Sequence, residues 1–316
     1  MPNLSAGTGG ARLMIKRDDC TGLAMGGNKV RQLEFYVGEA MAQGCDTILI
    51  TGAIQSNFVR AAAAAARKLG VDCHVQFEER VPLDDTLYRS SGNVLLDKLF
   101  GATLHHYPHV DDEIGADRQL HVIAEGLAAQ GKKPCVIPLA PGHKPLGALG
   151  YVLAAQELLA LLDAMSVEPD AIYIASGSGS SHGGLLFGLC ALRSSMIVRG
   201  VCVRRTADEQ KTRIAGRCDE IAALLGMEPC VSPDDVLVDD RCLEPGYGQI
   251  NPAILDAMQT AAHQEGVILD PVYSGRAFAP FLEAARSARP GSTLVFLHTG
   301  GTPAIFGYGE AILASG

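Results

Sequence analysis

The sequence predicts an α/β protein of two lobes, with parallel or mixed twisted sheets covered by helices. Short β-branched or aliphatic runs alternate with alanine- and leucine-rich amphipathic stretches through nearly the whole chain. Such a strand–helix–strand repeat requires parallel strands with helices on both faces. Glycine-rich stretches follow several of the strands, where open α/β sheets bind ligands. At 316 residues the chain has room for one large unit or two domains.

Strands are predicted at "RLMIK" (12–16), "TILIT" (47–51), "CHVQF" (73–77), "PCVIPLA" (134–140), "AIYIAS" (171–176), "MIVRGVCV" (196–203) and "TLVFLHT" (293–299). Helical patterns lie between them, at 28–43, 55–69, 145–163, 208–225 and 251–264. The proline- and glycine-rich joint "APGHKPLGALGY" at 140–151 separates the lobes. A smaller domain is therefore expected at 35–145, inserted into a larger one built from 1–34 and 146–316.

Composition narrows the function classes. Hydrophobic content of 47% and charged content of 19% describe a globular chain with ample core. There is no tryptophan, so aliphatic and alanine packing dominates. A net charge of −9 lacks the basic footprint of a nucleic-acid binder. Nine cysteines without a C-x-x-C pair fit a reducing compartment better than a disulfide scaffold. The start, "MPNLSAGTGGARLMIKRDD", has no charged segment followed by an apolar core, so no secretory signal is expected. The longest apolar run, around 61–66, falls far short of a membrane span. A cytoplasmic protein is the expectation.

Lys29 sits directly behind Gly26, Gly27 and Asn28, at the mouth of a predicted helix. A P-loop would place lysine immediately after its glycine and a hydroxyl next, but Asn28 intervenes and Val30 follows. Lysines at helix starts are usually solvated, yet these glycines let the backbone approach a ligand closely. The stretch "IASGSGSSHGGLLFGL" (174–189) runs from strand to helix with Gly177, Gly179, Gly183 and Gly184. Backbone N–H groups at such a turn form an anion pocket, although a tight turn also needs small residues. His182 stands where the dinucleotide fingerprint needs glycine. The hydroxyls of Ser176, Ser178, Ser180 and Ser181 suit a single terminal phosphate better than a pyrophosphate.

"TGAIQSNFVR" (51–60) has the same form, with Ser56 either capping a helix or aimed into a cleft. "DPVYSGRA" (270–277), "EPGYGQINP" (244–252) and "FLHTGGTPAIFGY" (296–308) complete the set. Tyr247 and Tyr273 are either core aromatics or site groups. His182 and His298 lack metal-ligand spacing, so no metal is expected. One lysine, one phosphate pocket and several hydroxyls point to pyridoxal 5'-phosphate (PLP), which needs a lysine, an anion cradle and a partner for its ring nitrogen.

The stretches "KRDDCTGLAMGGNKVRQLEF", "TGAIQSN", "EPGYG", "LDPVYSGRA" and "FLHTGGTPAIF" resemble, in order, the D-cysteine desulfhydrase and 1-aminocyclopropane-1-carboxylate (ACC) deaminase family. These are PLP enzymes of the tryptophan synthase β-subunit fold (fold type II). The resemblance implies that Lys29 holds PLP as a Schiff base and that Asn57 bonds its phenolic oxygen. It likewise implies that Gly177, Ser178, Gly179, Ser180 and Ser181 hold the phosphate, and that Thr299 faces the pyridine nitrogen. Ser56 matches a hydroxyl near the substrate, Tyr247 and Tyr273 match two active-site tyrosines, and Asn57, Phe58 and Tyr247 line the substrate site. A homodimer acting on a small amino acid is implied, without nucleic-acid or membrane partners.

Within the family, the deaminase branch carries glutamate where Ser274 stands and leucine where Thr299 stands. The sequence is therefore similar to the desulfhydrase branch. β-Elimination from D-cysteine is the first expectation, L-cysteate sulfo-lyase the second and ACC deaminase the third. A non-catalytic PLP- or nucleotide-binding protein is the alternative of a different class. Phe58 replaces a histidine of the desulfhydrases, Ser180 and Ser181 replace glycine and threonine, and Arg276 replaces a lysine. Relatives carry about a further strand's worth of residues before "IKRDD": either the start is misassigned or part of the large lobe is missing, and the second is expected to lower stability or cofactor retention.

Overall fold

The computed structural model describes residues 1–110 and 112–314. Nine strands form two sheets: β1 (Arg12–Arg17), β2 (Thr47–Ala53), β3 (Asp72–Glu78), β4 (Thr103–Tyr107), β5 (Pro134–Ile137), β6 (Ala171–Ser176), β7 (Ile197–Cys202), β8 (Leu237–Asp239) and β9 (Thr293–His298). One sheet has the order β1-β9-β6-β7-β8 and the other β4-β3-β2-β5. Every strand pairing among the described residues is parallel. The predicted strands all form. The short β4 and β8 were not anticipated, since "TLHHY" and "LVD" lack a run of β-formers.

The chain divides into two compact units. The larger comprises Met1–Cys20 and Lys144–Thr302 and holds the five-stranded sheet. Its core joins Ile172 and Ile174 of β6 to Tyr151, Leu158, Leu185 and Phe187 from two flanking helices. Because β6 pairs with β9 in parallel, the loops after both strands leave the same sheet edge. Those loops carry Gly177 and Thr299.

The smaller unit comprises Thr21–His143 and Pro303–Gly316. The expected boundaries at 34/35 and 145/146 thus need correction at both ends. Residues 21–34 belong to the smaller unit because Arg60, on the Asn57–Leu69 helix, bonds the carbonyls of Ala24 and Gly26. Residues 303–308 join it because Ser91 Oγ donates to the Phe306 carbonyl and Tyr308 stacks edge-on against Tyr88. Neither link shows in composition or spacing.

Two further expectations change. The Leu146–Ala164 helix is long and apolar enough to cross a membrane, a longer apolar segment than the 61–66 run. It is a core helix: Ala148, Tyr151, Ala155 and Leu158 pack against the Ser180–Ala191 helix, and its Glu157 pairs with Lys16 at 2.7 Å. Cys45 and Cys135, 90 residues apart in sequence, form a disulfide. The spacing gave no signal of it, because the β2–β5 pairing is what brings them together. The other seven cysteines are free.

Candidate active site

Lys29 occupies the first turn of the Asn28–Ala42 helix. The preceding loop is bent by left-handed backbone at Gly22, Ala24, Met25, Gly26 and Gly27. Ala24 and Met25 each cost about 1 kcal/mol or more in that region. Two contacts hold the loop despite this strain. Thr21 Oγ1 accepts from Gly27 N and donates to Gly27 O, both at 2.9 Å. The fully buried Arg60 donates to Ala24 O at 2.5 Å and to Gly26 O at 3.0 Å.

The Lys29 amine donates to Gln32 Oε1 at 3.4 Å and lies 5.2 Å from the Phe58 ring centroid. Among the described residues no carboxylate pairs with it. The ring face favours the ammonium, but burial outweighs it and draws the amine from the usual 10.5 down to about 8. Phe58 itself is buried and also meets Tyr36, with ring centroids 6.1 Å apart.

Ser56 and Asn57 start the helix that follows β2. Ser56 Oγ accepts from Val59 N at 3.3 Å, so the capping use is realised. Its own proton has no acceptor among the described residues. A Cβ on Gly52 would lie 2.6 Å from Ser56 Oγ, which explains the glycine. Asn57 Oδ1 accepts from Asn93 Nδ2 at 3.0 Å. Asn93 is in turn fixed by Gln55, through Asn93 N to Gln55 Oε1 at 2.9 Å and Asn93 Nδ2 to Gln55 O at 3.0 Å. With its oxygen committed, Asn57 keeps its amide N–H groups as donors.

In the larger unit, β6 ends at Ser176 and the Ser180–Ala191 helix begins after Gly179, whose φ is +96°. A Cβ on Gly177 would lie 3.1 Å from Val203. Ser180 and Ser181 are buried in the first helical turn. Beneath them, Gln210 Nε2 donates to Ser176 Oγ at 2.8 Å, and Ser176 Oγ lies 2.9 Å from His182 Nδ1. His182 Nε2 is buried without a hydrogen-bond partner among the described residues.

Burial lowers His182 from 6.5 to about 4. A depressed folded value means stability that is present above pH 6.5 and is lost as pH falls towards 4. The size is about 3 kcal/mol for a fully buried ring. His182→Gln is expected to remove this part of the acid sensitivity. Urea midpoints of both proteins at pH 7.5 and 4.5 check it, and an identical pH dependence in the variant would refute the assignment.

Tyr247 and Tyr273 are brought together, with hydroxyls 2.6 Å apart. Tyr273 precedes the Ser274–Arg286 helix, while Tyr247 lies in a loop held by Arg276. This buried guanidinium donates from Nη1 to the carbonyls of Cys242 and Leu243, and from Nη2 to those of Gly246 and Gln249. Asp270 is fully buried, accepting from Ser274 Oγ at 2.6 Å and from the backbone N–H groups of Val272, Tyr273 and Ser274. Thr299 is buried just before Gly300 and Gly301 and makes no hydrogen bond to the described residues. His298 orients this turn: its Nε2 donates to Ile268 O at 2.9 Å and its Nδ1 accepts from Gly300 N at 3.2 Å. Among the described residues no group of three or more His, Cys, Asp or Glu side chains could hold a metal.

Residues 1–300 match the family model described as pyridoxal-phosphate dependent enzyme. The chain belongs to this family. It is 39% identical over 301 residues to the D-cysteine desulfhydrase of Salmonella typhi, covering 95% of this chain and 89% of that one. The corresponding protein of Salmonella choleraesuis is 40% identical over the same coverage. Among solved structures, an ACC deaminase homologue aligns with a TM-score of 0.86 and 35% identity over 99% of this chain and 91% of that one. An O-ureido-L-serine synthase shares the fold, with a TM-score of 0.64 and 17% identity over 96% of this chain and 92% of that one.

The residues present fit the family's cofactor. The larger unit offers a glycine-lined cradle in which a side chain at 177 would be crowded, and a buried hydroxyl at Thr299 left without a bond to the described residues. The smaller unit offers an amine of lowered basicity and the amide donor of Asn57. Lys29, Ser56, Asn57 and Phe58 lie in the smaller unit, and Gly177–Ser181, Tyr247, Tyr273 and Thr299 in the larger. Sequence reasoning missed the supporting residues Arg60, Asn93 and Asp270. A lone arginine inside the apolar run at 58–66 was the one available signal for Arg60.

Proposed function

We propose that this chain is a PLP-dependent carbon–sulfur lyase acting on D-cysteine. The balanced reaction is D-cysteine plus water to pyruvate, hydrogen sulfide and ammonia. The observation that carries the reading is Lys29, an amine brought to about 8 without a carboxylate partner among the described residues. Such a group is an effective nucleophile and base near neutral pH. PLP, when bound, supplies the electron sink for charge developing at Cα. Lys29 would hold the cofactor, then take the Cα proton on Nζ. Asn57 would donate to the cofactor's phenolic oxygen and Thr299 would face its ring nitrogen. Ser56 and the Tyr247–Tyr273 pair would orient the substrate and hand a proton to the departing sulfur.

Ser274 favours this reading over ACC deamination. Its hydroxyl is spent on Asp270, fully buried at 2.6 Å. A glutamate there, as in the deaminase branch, would supply a carboxylate to keep the cofactor's ring nitrogen protonated and strengthen its electron sink, help that opening a cyclopropane needs and that expelling sulfur from Cβ needs less. L-Cysteate sulfo-lyase, giving pyruvate, sulfite and ammonia, is the second reading, supported by Phe58 in place of the desulfhydrase histidine and by the added hydroxyls of Ser180 and Ser181, which remodel the pocket. A cytoplasmic homodimer completes the proposal, supported by the family resemblance.

The test is the visible spectrum of the purified protein, followed by separate additions of D-cysteine, L-cysteine, L-cysteate and ACC with assay of 2-oxo acid. A yellow protein releasing pyruvate and sulfide in equal amounts from D-cysteine is expected. Sulfite from L-cysteate alone would transfer the assignment to the second reading. A protein that stays colourless after added PLP would overturn both.

A further inference from the structure

The peptide carbonyls of the loop between β6 and the Ser180–Ala191 helix are not free. Gly177 O accepts from Arg205 Nη1 at 3.2 Å and from Gln210 Nε2 at 3.0 Å. Ser178 O accepts from Arg213 Nε at 2.9 Å. Gln210 and Arg213 are one turn apart on the Ala207–Leu225 helix, so they share a face. Ile214 beside them would meet a Cβ on Gly179 at 3.3 Å, so the helix packs directly on the loop.

A trans peptide is planar, with its N–H opposite its C=O. Drawing the Gly177 carbonyl towards Arg205 and Gln210 turns the Ser178 N–H to the other side. Drawing the Ser178 carbonyl towards Arg213 does the same for the Gly179 N–H. Neither N–H has a partner among the described residues. Backbone donors left without partners beside a helix start are an anion-binding arrangement.

We infer that Arg205 and Arg213, with Gln210, are positioning residues for the cofactor phosphate, aiming the Ser178 and Gly179 N–H groups by holding the carbonyls behind them. The inference rests on reading Gly177–Ser181 as the phosphate loop. The two guanidinium groups also place positive charge at hydrogen-bond distance from the loop, which favours a phosphate dianion. Each guanidinium contact is a charge-assisted bond, stronger than one between neutral partners. Arg205 and Arg213 act from behind the loop and are not catalytic residues.

Pyridoxal, the same ring without the phosphate, separates this role from a general structural one. Equilibrium binding of PLP and of pyridoxal to the apoprotein is measured by absorbance for the wild type, Arg213→Met, Arg213→Lys and Arg205→Met/Arg213→Met. The double variant is expected to lose about 10- to 100-fold in PLP affinity and to keep its pyridoxal affinity. R213K, which keeps the charge but not the fork geometry, falls between. Unchanged PLP affinity, or equal losses for both ligands, overturns the inference. A wild type that binds pyridoxal as tightly as PLP overturns the phosphate-loop reading itself. Should the double variant fail to fold, the PLP-to-pyridoxal ratio of R213K decides alone: an undiminished ratio refutes the clamp.

Discussion

Lys29→Ala is expected to lower turnover by about 10⁴-fold or more, because one residue is asked both to hold the cofactor and to move the Cα proton. The fold should survive: alanine is the better helix former, and the only side-chain hydrogen bond lost among the described residues is the 3.4 Å contact to Gln32. Lys29→Arg separates charge from basicity. A guanidinium keeps the cation over Phe58 but is never deprotonated in proteins, so this variant should be as inactive as the alanine one. The wild type should show the amine's environment in its pH dependence. With a pKa of about 8, roughly a quarter of Lys29 is neutral at pH 7.5, against about one in a thousand at the ordinary value. The rate at which apoprotein takes up PLP covalently should therefore rise through pH 8 and level off, not climb towards 10.5. The measurements are single-turnover sulfide release, circular dichroism and the uptake rate from pH 6.5 to 9.5. A folded K29A that still turns over would remove Lys29 from the mechanism.

The sequence made the parallel sheets legible because their central strands are long apolar runs with few competing patterns. β2 and β6 are buried along nearly their whole length, and such segments announce themselves. The site residues were legible for a different reason: Ser56, Asn57, Gly177–Ser181 and Thr299 directly follow strands, and Lys29, Tyr247 and Tyr273 sit among glycines or at a helix start. The residues that hold them were not. Arg205, Arg213 and Arg276 look like solvated cations, and only folding turns them, like Arg60, onto backbone carbonyls. The domain boundary failed through the same blindness. Residues 21–27 precede the 35–145 span expected for the smaller domain, yet Arg60 draws them into it from more than thirty positions away. The Cys45–Cys135 bond likewise depends on strand register, which spacing does not encode.

Arg276→Met is expected to be the most destabilising single change near the site. The guanidinium is fully buried and satisfies the carbonyls of Cys242, Leu243, Gly246 and Gln249 at once. Methionine fills much of the volume but leaves those acceptors unpaired in a dry setting, at a cost of about 3–5 kcal/mol. Arg276→Lys, with three donors on a single ammonium, should lose less. Stability is not the whole effect. Arg276 lies in the first turn of the helix that Tyr273 precedes, and the loop that it ties down carries Tyr247. One side chain thus helps to fix both members of the 2.6 Å hydroxyl pair. If Arg276 acts through that pair, Tyr247→Phe should lose turnover with little loss of stability, and Arg276→Met should lose both. Combining them should then cost no more turnover than the worse single variant, because residues acting as one unit are not additive. Urea midpoints and kcat for the two single variants and the double variant test this. Losses in kcat that multiply in the double variant would mean that Arg276 serves the loop's stability and not the placement of Tyr247.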